Sequence, residues 1–114
     1  MSEFKRSQRV AEVLRHEISQ IITQELKDPN IGITTITAIK LTDDLKLAKI
    51  YLSILGNQEV REKGMQALER AKTWIRAELG RRIDLKFVPE LKFFYDETLD
   101  YAEKIDTLLK KIHK

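Results

Sequence analysis

The chain has 114 residues, of which 42% are hydrophobic and 34% are charged, and its formal net charge at pH 7 is +3. This length and composition are typical of one globular domain spanning residues 1–114, and they exclude a disordered or low-complexity segment. The absence of cysteine excludes disulfides, thiol catalysis and thiolate metal sites. No apolar run reaches the length of about 18 residues that a membrane-spanning helix requires, and the first residues lack the apolar core of a signal peptide. We therefore expect a cytoplasmic protein without a membrane partner.

Residues 4–27 show the apolar spacing of an amphipathic helix. The apolar positions of this pattern are Val10, Val13, Leu14, Ile18, Ile21, Ile22 and Leu26. We expect Asp28-Pro29-Asn30 to end the helix, because proline disfavours helical dihedral angles at the preceding residue and has no amide donor.

Two strands are predicted next, and the short polar turn Thr42-Asp43-Asp44 between them predicts an antiparallel hairpin. Residues 31–41 are rich in β-branched side chains. Strict alternation would group Ile36 with Ala38 on one face of this strand, and on the other face Ile33, Thr35, Thr37, Ile39 and Leu41. In the second strand Lys49, Tyr51 and Ser53 are expected to face water. The side chains expected to face the helices are Ala48, Ile50, Leu52 and Ile54.

The longest helical pattern follows Gly56, with Asn57 as its expected N-terminal cap. Its apolar positions are spaced by three, four or seven residues and predict one buried face: Val60, Ala67, Leu68, Ala71, Ile75, Leu79 and Ile83. A straight helix over residues 58–83 would span about 39 Å. Since a compact domain of this length has a diameter of roughly 34 Å, the length favours a divided helix.

A third strand is predicted from Leu91 to Tyr95, because Pro89 suits the start of a strand and not its middle. Asp96-Glu97-Thr98 is expected to open a last helix with an apolar stripe at Tyr101, Ile105, Leu108, Leu109 and Ile112. The predicted fold is therefore an α+β domain of two layers with a three-stranded sheet.

The net positive charge is concentrated in the central helical segment. Between Glu69 and Lys86 six basic side chains oppose three acidic ones, a local charge of +3 that equals the charge of the whole chain. The six are Arg70, Lys72, Arg76, Arg81, Arg82 and Lys86. Guanidinium groups can bind phosphate oxygens through two parallel hydrogen bonds, so the segment predicts contact with a polyanion. The alternative is an ordinary solvated helix face.

Three further residues are candidates for nucleic-acid contact. Arg6 and Arg9 open the first helix, and a helical wheel places Trp74 near Arg70 and Arg81 at about 100° per residue. An exposed tryptophan among arginines could stack on a base. The alternative for Trp74 is a core or partner-facing position.

No pattern in the chain is typical of catalysis or of a metal centre. There is no glycine-rich phosphate-binding loop and no nucleophile motif, and His16 and His113 lie at opposite ends of the sequence. Asp43-Asp44 is better explained as a turn than as a metal site. We expect a non-enzymatic protein that carries no cofactor and no metal.

Four blocks carry a more specific pattern, and they occur in a fixed order along the chain. They are Leu26-Lys27-Asp28-Pro29; Asp44-Leu45 with Ala48-Lys49-Ile50-Tyr51; Ile75-Arg76 with Leu79-Gly80; and Pro89-Glu90-Leu91-Lys92-Phe93 followed by Asp96. With these blocks, the sequence from about Arg6 to its end resembles the ribosome-binding factor A family.

The resemblance implies a type II KH-like fold of order α-β-β-α-kink-α-β with an added C-terminal helix. In the family an Ala-x-Gly kink separates the two central helices, and the matching positions here are Ala71-Lys72-Thr73, where Thr73 departs from the pattern. The resemblance also implies a bacterial cytoplasmic factor that binds the free small ribosomal subunit near the 5′ end of its immature RNA. Such a factor assists late assembly and RNA processing, leaves before translation begins and is associated with growth in the cold.

The implied partners are the free small subunit, its ribosomal RNA and other assembly factors such as maturation GTPases, with the factor itself a monomer. Two other functions remain open. One is a general single-strand RNA-binding KH-like module, whose binding would be sensitive to salt and indifferent to the subunit. The other is a protein-interaction adaptor that uses the same helices.

Overall fold

The computed structural model describes residues 6–98, and no helix in this range combines the length and apolarity needed to cross a membrane. The elements are α1 (Arg6–Gln20), a π-helix that continues it (Ile21–Glu25), β1 (Thr34–Leu41), β2 (Leu47–Ile54), α2 (Gln58–Arg82) and β3 (Glu90–Tyr95). This order confirms the predicted α+β class. The predicted helix after Thr98 lies outside the described residues.

The sheet is built around β2, which lies between the other two strands. β1 pairs with β2 in antiparallel orientation, as the hairpin prediction required, and β3 pairs with the other edge of β2 in parallel orientation. The four side chains of β2 predicted to face the helices are all buried: Ala48, Ile50, Leu52 and Ile54. They share one core with side chains of α1 and α2. Both helices therefore cover the same face of the sheet.

The first helix ends in a π-helical turn rather than continuing as an α-helix. Ile18 in α1 and both Ile21 and Ile22 in the π-helix are buried, so the core-facing side of the helix continues into the wider turn. The predicted stop is confirmed. The Asn30 amide donates to Asp28 Oδ1 at 2.9 Å and the Ile31 amide donates to the Asp28 carbonyl at 3.0 Å.

β1 contains a β-bulge at Thr37. Ile36 pairs with Leu52, and Ala38 pairs with Tyr51, the preceding residue of β2. Thr37 therefore has no opposite residue in the ladder. An extra residue of this kind shifts the alternation of the strand by one position.

The bulge overturns the prediction that one alternating set of β1 residues shares a face. Ile36 is buried before the bulge, whereas Ile39 and Leu41 pack against the core after it. Ile33 lies before the strand begins and is 70% exposed. The sequence pattern failed because it assumed an unbroken period of two, and β-branched residues give no signal for the extra residue.

α2 begins as predicted at an asparagine cap, with Asn57 Oδ1 accepting from the Val60 amide at 2.9 Å. Four members of the predicted buried face are fully buried: Ala67, Leu68, Ile75 and Leu79. Val60, at the start of the helix, is 38% exposed.

α2 is one uninterrupted helix of 25 residues, so it is not divided into two helices at Ala71-Lys72-Thr73 as the length argument predicted. A bend at these positions stays a prediction. Thr73 is exposed in the helix interior and caps nothing. A division would remove main-chain hydrogen bonds, whereas one threonine in a helix interior costs no more than about 0.7 kcal/mol relative to alanine.

The length argument for a division failed because contacts support both ends of α2. Near its start Gly64 lets the helix approach β2 closely, since a Cβ at this position would lie 2.6 Å from Ile54 Cδ1. Near its end Arg82 is paired with Glu17 of α1 and Glu25 of the π-helix. The long helix is therefore held near both of its ends.

We expect Thr73→Ala to be neutral or to stabilise the protein by up to about 0.7 kcal/mol, because alanine is the better residue in a helix interior. Thr73→Gly should be less stable than the parent for the same reason. Denaturant midpoints at an unchanged m-value measure both effects. The opposite order, with glycine above alanine, would indicate a capping position and a divided helix.

The hydroxyl of Thr37 ties the bulge to the end of β3 by donating to Asp96 Oδ2 at 2.5 Å. This hydrogen bond, together with those from Thr98, lowers the pKa of the Asp96 carboxyl. A lowered folded-state pKa stabilises the fold above the ordinary aspartate pKa, and the contribution is lost as the pH falls through the folded-state value.

We therefore expect Thr37→Val to raise the pKa of Asp96 towards its ordinary value and to be less stable than the parent at neutral pH. The stability difference should shrink in acid. An NMR titration of the Asp96 carboxyl and denaturant midpoints at both pH values measure these effects. The same Asp96 pKa in both proteins would contradict the role given to the hydroxyl.

Candidate RNA-binding surface

The side of α2 that faces away from the sheet carries an arginine–tryptophan stripe. Its members, spaced by four, three and four residues, are Arg70, Trp74, Ala77 and Arg81; together they are called the α2 stripe. Trp74 is 41% exposed, as the helical wheel predicts for a residue opposite the buried Leu68 and Ile75. The register holds across position 73 because the helix does not divide there.

The two arginines of the α2 stripe make only weak ion pairs. Arg70 Nη2 lies 4.0 Å from Asp28 Oδ2, and Arg81 pairs with Glu78 three residues earlier. The two arginine side chains are 61% and 64% exposed. Their partners are less exposed, Asp28 at 26% and Glu78 at 17%, so the arginine end of each pair is the part that a phosphate group can reach.

Arg76 points to the other flank of α2 and holds the loop that leads into β3. Its Nε donates to the Pro89 carbonyl at 2.8 Å and its Nη2 donates to the Val88 carbonyl at 2.7 Å. Lys72 lies on the same flank and pairs with Glu69. These two predicted candidates are therefore separated from the α2 stripe.

Arg82 is a structural residue. Its guanidinium group contacts Glu25, lies 3.4 Å from Glu17 Oε1 and lies 3.9 Å from Glu78 Oε1. Three carboxylates surround one cation whose side chain is 25% exposed. The arrangement joins the end of α2 to α1 and the π-helix, and it leaves Arg82 poorly placed to bind a phosphate.

The remaining candidates lie away from α2. Arg6 and Arg9 are exposed at the start of α1, and this end lies beside the β1–β2 turn because the buried Ser7 donates to Asp43 Oδ1 at 3.4 Å. Among residues 6–98 no ion pair or hydrogen bond joins either arginine to α2. Lys86, in the loop after α2, lies over the exposed ring of Phe87 at 5.7 Å from its centroid.

The acidic residues of the β1–β2 turn are part of the turn itself. Asp44 Oδ1 accepts from the Thr42 hydroxyl at 2.7 Å and from the Lys46 amide at 3.0 Å, and these hydrogen bonds lower the pKa of the Asp44 carboxyl. The turn prediction is confirmed. Within the described range, no group of three or more His, Asp or Glu side chains is arranged to hold a metal ion.

One basic group was missed by the sequence analysis. Lys40, Lys49 and Lys92 lie side by side on the face of the sheet that the helices leave open. They are far apart in the chain, and only the pairing register of three strands brings them together.

The family of the chain follows from comparison with known proteins. The family model described as ribosome-binding factor A matches residues 6–109. A ribosome-binding factor A from Macrococcus caseolyticus is 45% identical over 109 residues, which cover 96% of this chain and 96% of that relative. The chain belongs to the ribosome-binding factor A family.

Two structures of the family from Thermus thermophilus support the fold. The crystal structure of its ribosome-binding factor A aligns with a TM-score of 0.71 at 26% identity, covering 78% of this chain and 93% of that chain. A homology model of that factor, fitted into a cryo-electron microscopy map of its complex with 30S, aligns with a TM-score of 0.66 at 26% identity, covering 77% and 92%. The KH-like fold implied by the resemblance is thereby confirmed.

Replacing Arg82 by alanine should destabilise the fold by about 1–3 kcal/mol, because it leaves partly buried carboxylates without their cation. Arg81→Ala is the matched control and should change stability by less than about 0.5 kcal/mol.

The salt dependence of stability distinguishes a loss of charge interactions from a loss of packing in Arg82→Ala. Repulsion among the remaining carboxylates is screened at about 1 M salt, so the Arg82→Ala deficit should shrink there. Equal denaturant midpoints for the parent and Arg82→Ala at low salt would show that the carboxylate cluster does not stabilise the fold.

Proposed function

We propose that the chain is a ribosome maturation factor that binds the free small ribosomal subunit and the 5′-end region of its immature RNA, and so assists late assembly and RNA processing. It acts in the cytoplasm as a monomer, by binding rather than by catalysis, beside other assembly factors such as maturation GTPases. It leaves the subunit before translation and supports growth in the cold. Membership of the family and the 30S complex of the Thermus thermophilus relative support this assignment of the partner.

The exposed α2 stripe is the observation that supports RNA as the contact. Arg70 and Arg81 are 11 residues apart and so roughly 16–17 Å apart along the helix axis, with the exposed Trp74 between them. Arginine binds phosphate oxygens in a planar two-pronged geometry, and an aromatic ring provides a face for an unpaired base. The stripe is therefore suited to a stretch of RNA backbone with at least one accessible base.

The proposed mechanism is preferential binding. A protein that binds one arrangement of immature RNA more tightly than the others raises the population of that arrangement in proportion to the difference in affinity. The continuous α2, held near both ends, fixes the spacing of the arginines and so favours RNA that presents its phosphates at a matching spacing.

Co-sedimentation with free small subunits, large subunits and assembled ribosomes tests the function. We expect recovery with free small subunits and much less with assembled ribosomes. The double variant Arg70→Gln/Arg81→Gln should bind small subunits more weakly. Its slope of log affinity against log salt should fall by about 0.7 for each phosphate that the variant no longer neutralises.

Arg15→Gln is the matched control for Arg81, since Arg15 is also an exposed arginine paired with a glutamate three residues away. It lies on α1 and should bind as the parent does. Equal recovery with all particles would favour a general single-strand RNA-binding module. Recovery that depends on neither salt nor the stripe would favour a protein-interaction adaptor.

A further inference from the structure

Three lysines form a row across the open face of the sheet. Lys40 of β1 pairs with Lys49 of β2, and Lys49 pairs with Lys92 of β3. Neighbouring strands are about 4.8 Å apart, so the three Cα atoms span roughly 10 Å. Lys40 and Lys92 are exposed and Lys49 is half-buried between them.

The lysine row is unfavourable for the stability of the sheet. Like charges directly opposite each other destabilise a strand pair, and here two such pairs share the central lysine. None of the three lysines lies within ion-pair distance of a carboxylate elsewhere in residues 6–98. Features that cost stability tend to occur at functional sites, and a bound polyanion would relieve the repulsion among these lysines.

An aromatic pair occupies the next row of the same face. The rings of Tyr51 and Phe94 stack with centroids 5.3 Å apart and planes inclined by 22°. Lys40 Nζ lies 5.6 Å from the centroid of Tyr51, and Phe94 is 38% exposed. Neither aromatic residue belongs to the core on the helix side. The stacked rings and the lysine row therefore form one continuous surface.

The acidic residues of this face lie at its ends. Glu90 is paired with Leu47, one row beyond the lysines. Asp96 follows the end of β3, where its carboxylate accepts from Thr37 and Thr98. Neither carboxylate lies between the lysines and the rings, so the central surface is positive.

We propose that the open face of the sheet is a second RNA-binding surface, on which unpaired bases stack against Phe94 and Tyr51 while Lys40, Lys49 and Lys92 neutralise the adjoining phosphates. Stacking on aromatic side chains of a sheet, with basic residues beside them, is an established means of binding single strands. The surface lies on the side of the molecule opposite the α2 stripe. A bound factor would thus contact two RNA segments at once, and the inference rests on the proposed function only for the identity of the natural RNA.

The test measures the affinity of the full chain for a fluorescein-labelled 12-nucleotide oligouridylate by anisotropy over a series of salt concentrations. Lys49→Gln/Lys92→Gln should reduce the slope of log affinity against log salt by about 1.4, at roughly 0.7 per phosphate contact on a single strand. Phe94→Leu should weaken binding by about 5- to 150-fold, the range expected for one stacked base.

Matched variants separate charge and stacking from folding. Lys49→Arg/Lys92→Arg keeps the charge and Phe94→Tyr keeps the ring, so both should bind within about twofold of the parent. Lys49→Gln/Lys92→Gln should also raise the denaturant midpoint, because it relieves the like-charge pairs. A loss of RNA affinity in a more stable protein cannot be ascribed to unfolding.

The proposal would be overturned if the parent did not bind the oligouridylate. It would also be overturned if Lys49→Gln/Lys92→Gln and Phe94→Leu both bound it as tightly as the parent does. It would also be overturned if the lysine variant lost recovery with small subunits at an unchanged oligouridylate affinity, since the face would then contact a protein. Failure of the parent to sediment with small subunits is a separate result, which counts against the proposed function and not against this surface.

Discussion

The alternation of β2 is the constraint on which the rest of the structure depends. Every second residue from Ala48 to Ile54 is buried, and both helices pack on the face that these residues form. Because β2 lies between the two edge strands, the face formed by these four side chains is also the face of the whole sheet that the helices cover. The residues between them are thereby fixed on the opposite face, so one strand determines both the core and the open surface of the sheet.

Ion pairs and hydrogen bonds divide the arginines of α2 into two groups with different roles. Arg82 is surrounded by three carboxylates and Arg76 donates to two main-chain carbonyls, so both stabilise the packing of α2 on its neighbours. Arg70 and Arg81 each pair with one carboxylate while most of the arginine side chain stays exposed. The local charge of +3 predicted from the sequence is real, but only part of it faces outward.

Much of the fold could be predicted from the sequence because the signals are local. The Asn57 cap, the stop at Asp28-Pro29-Asn30 and the alternation of β2 each depend on a few neighbouring residues and on backbone preferences. The apolar spacing of α2 runs across Thr73 and predicted one buried face, which the structure confirms. The division was inferred from the length of the helix, because the contacts that hold its two ends, with Ile54 and with Glu17 and Glu25, are not visible in the local pattern.

The candidate sites were harder to predict than the fold because the geometry of each site depends on side chains that are distant in the chain. The helical wheel places Arg81 beside Trp74 and Arg82 beside the buried Ile75, but two of the carboxylates that enclose Arg82, those of Glu17 and Glu25, are distant in the chain. The row of Lys40, Lys49 and Lys92 requires the register of three strands, which the sequence pattern does not contain. Trp74 was placed correctly because a helical wheel needs only the helix itself.

The bulge at Thr37 restricts insertions and deletions in β1. All residues of the strand after the bulge owe their facing to this one extra position, which puts Ile39 and Leu41 against the core and Lys40 on the open side. Deleting the extra residue would turn the following side chains to the opposite faces of the sheet. Lys40 would then face the apolar core, and Ile39 and Leu41 would face water. Within β1 the number of residues is therefore as strongly constrained as their composition.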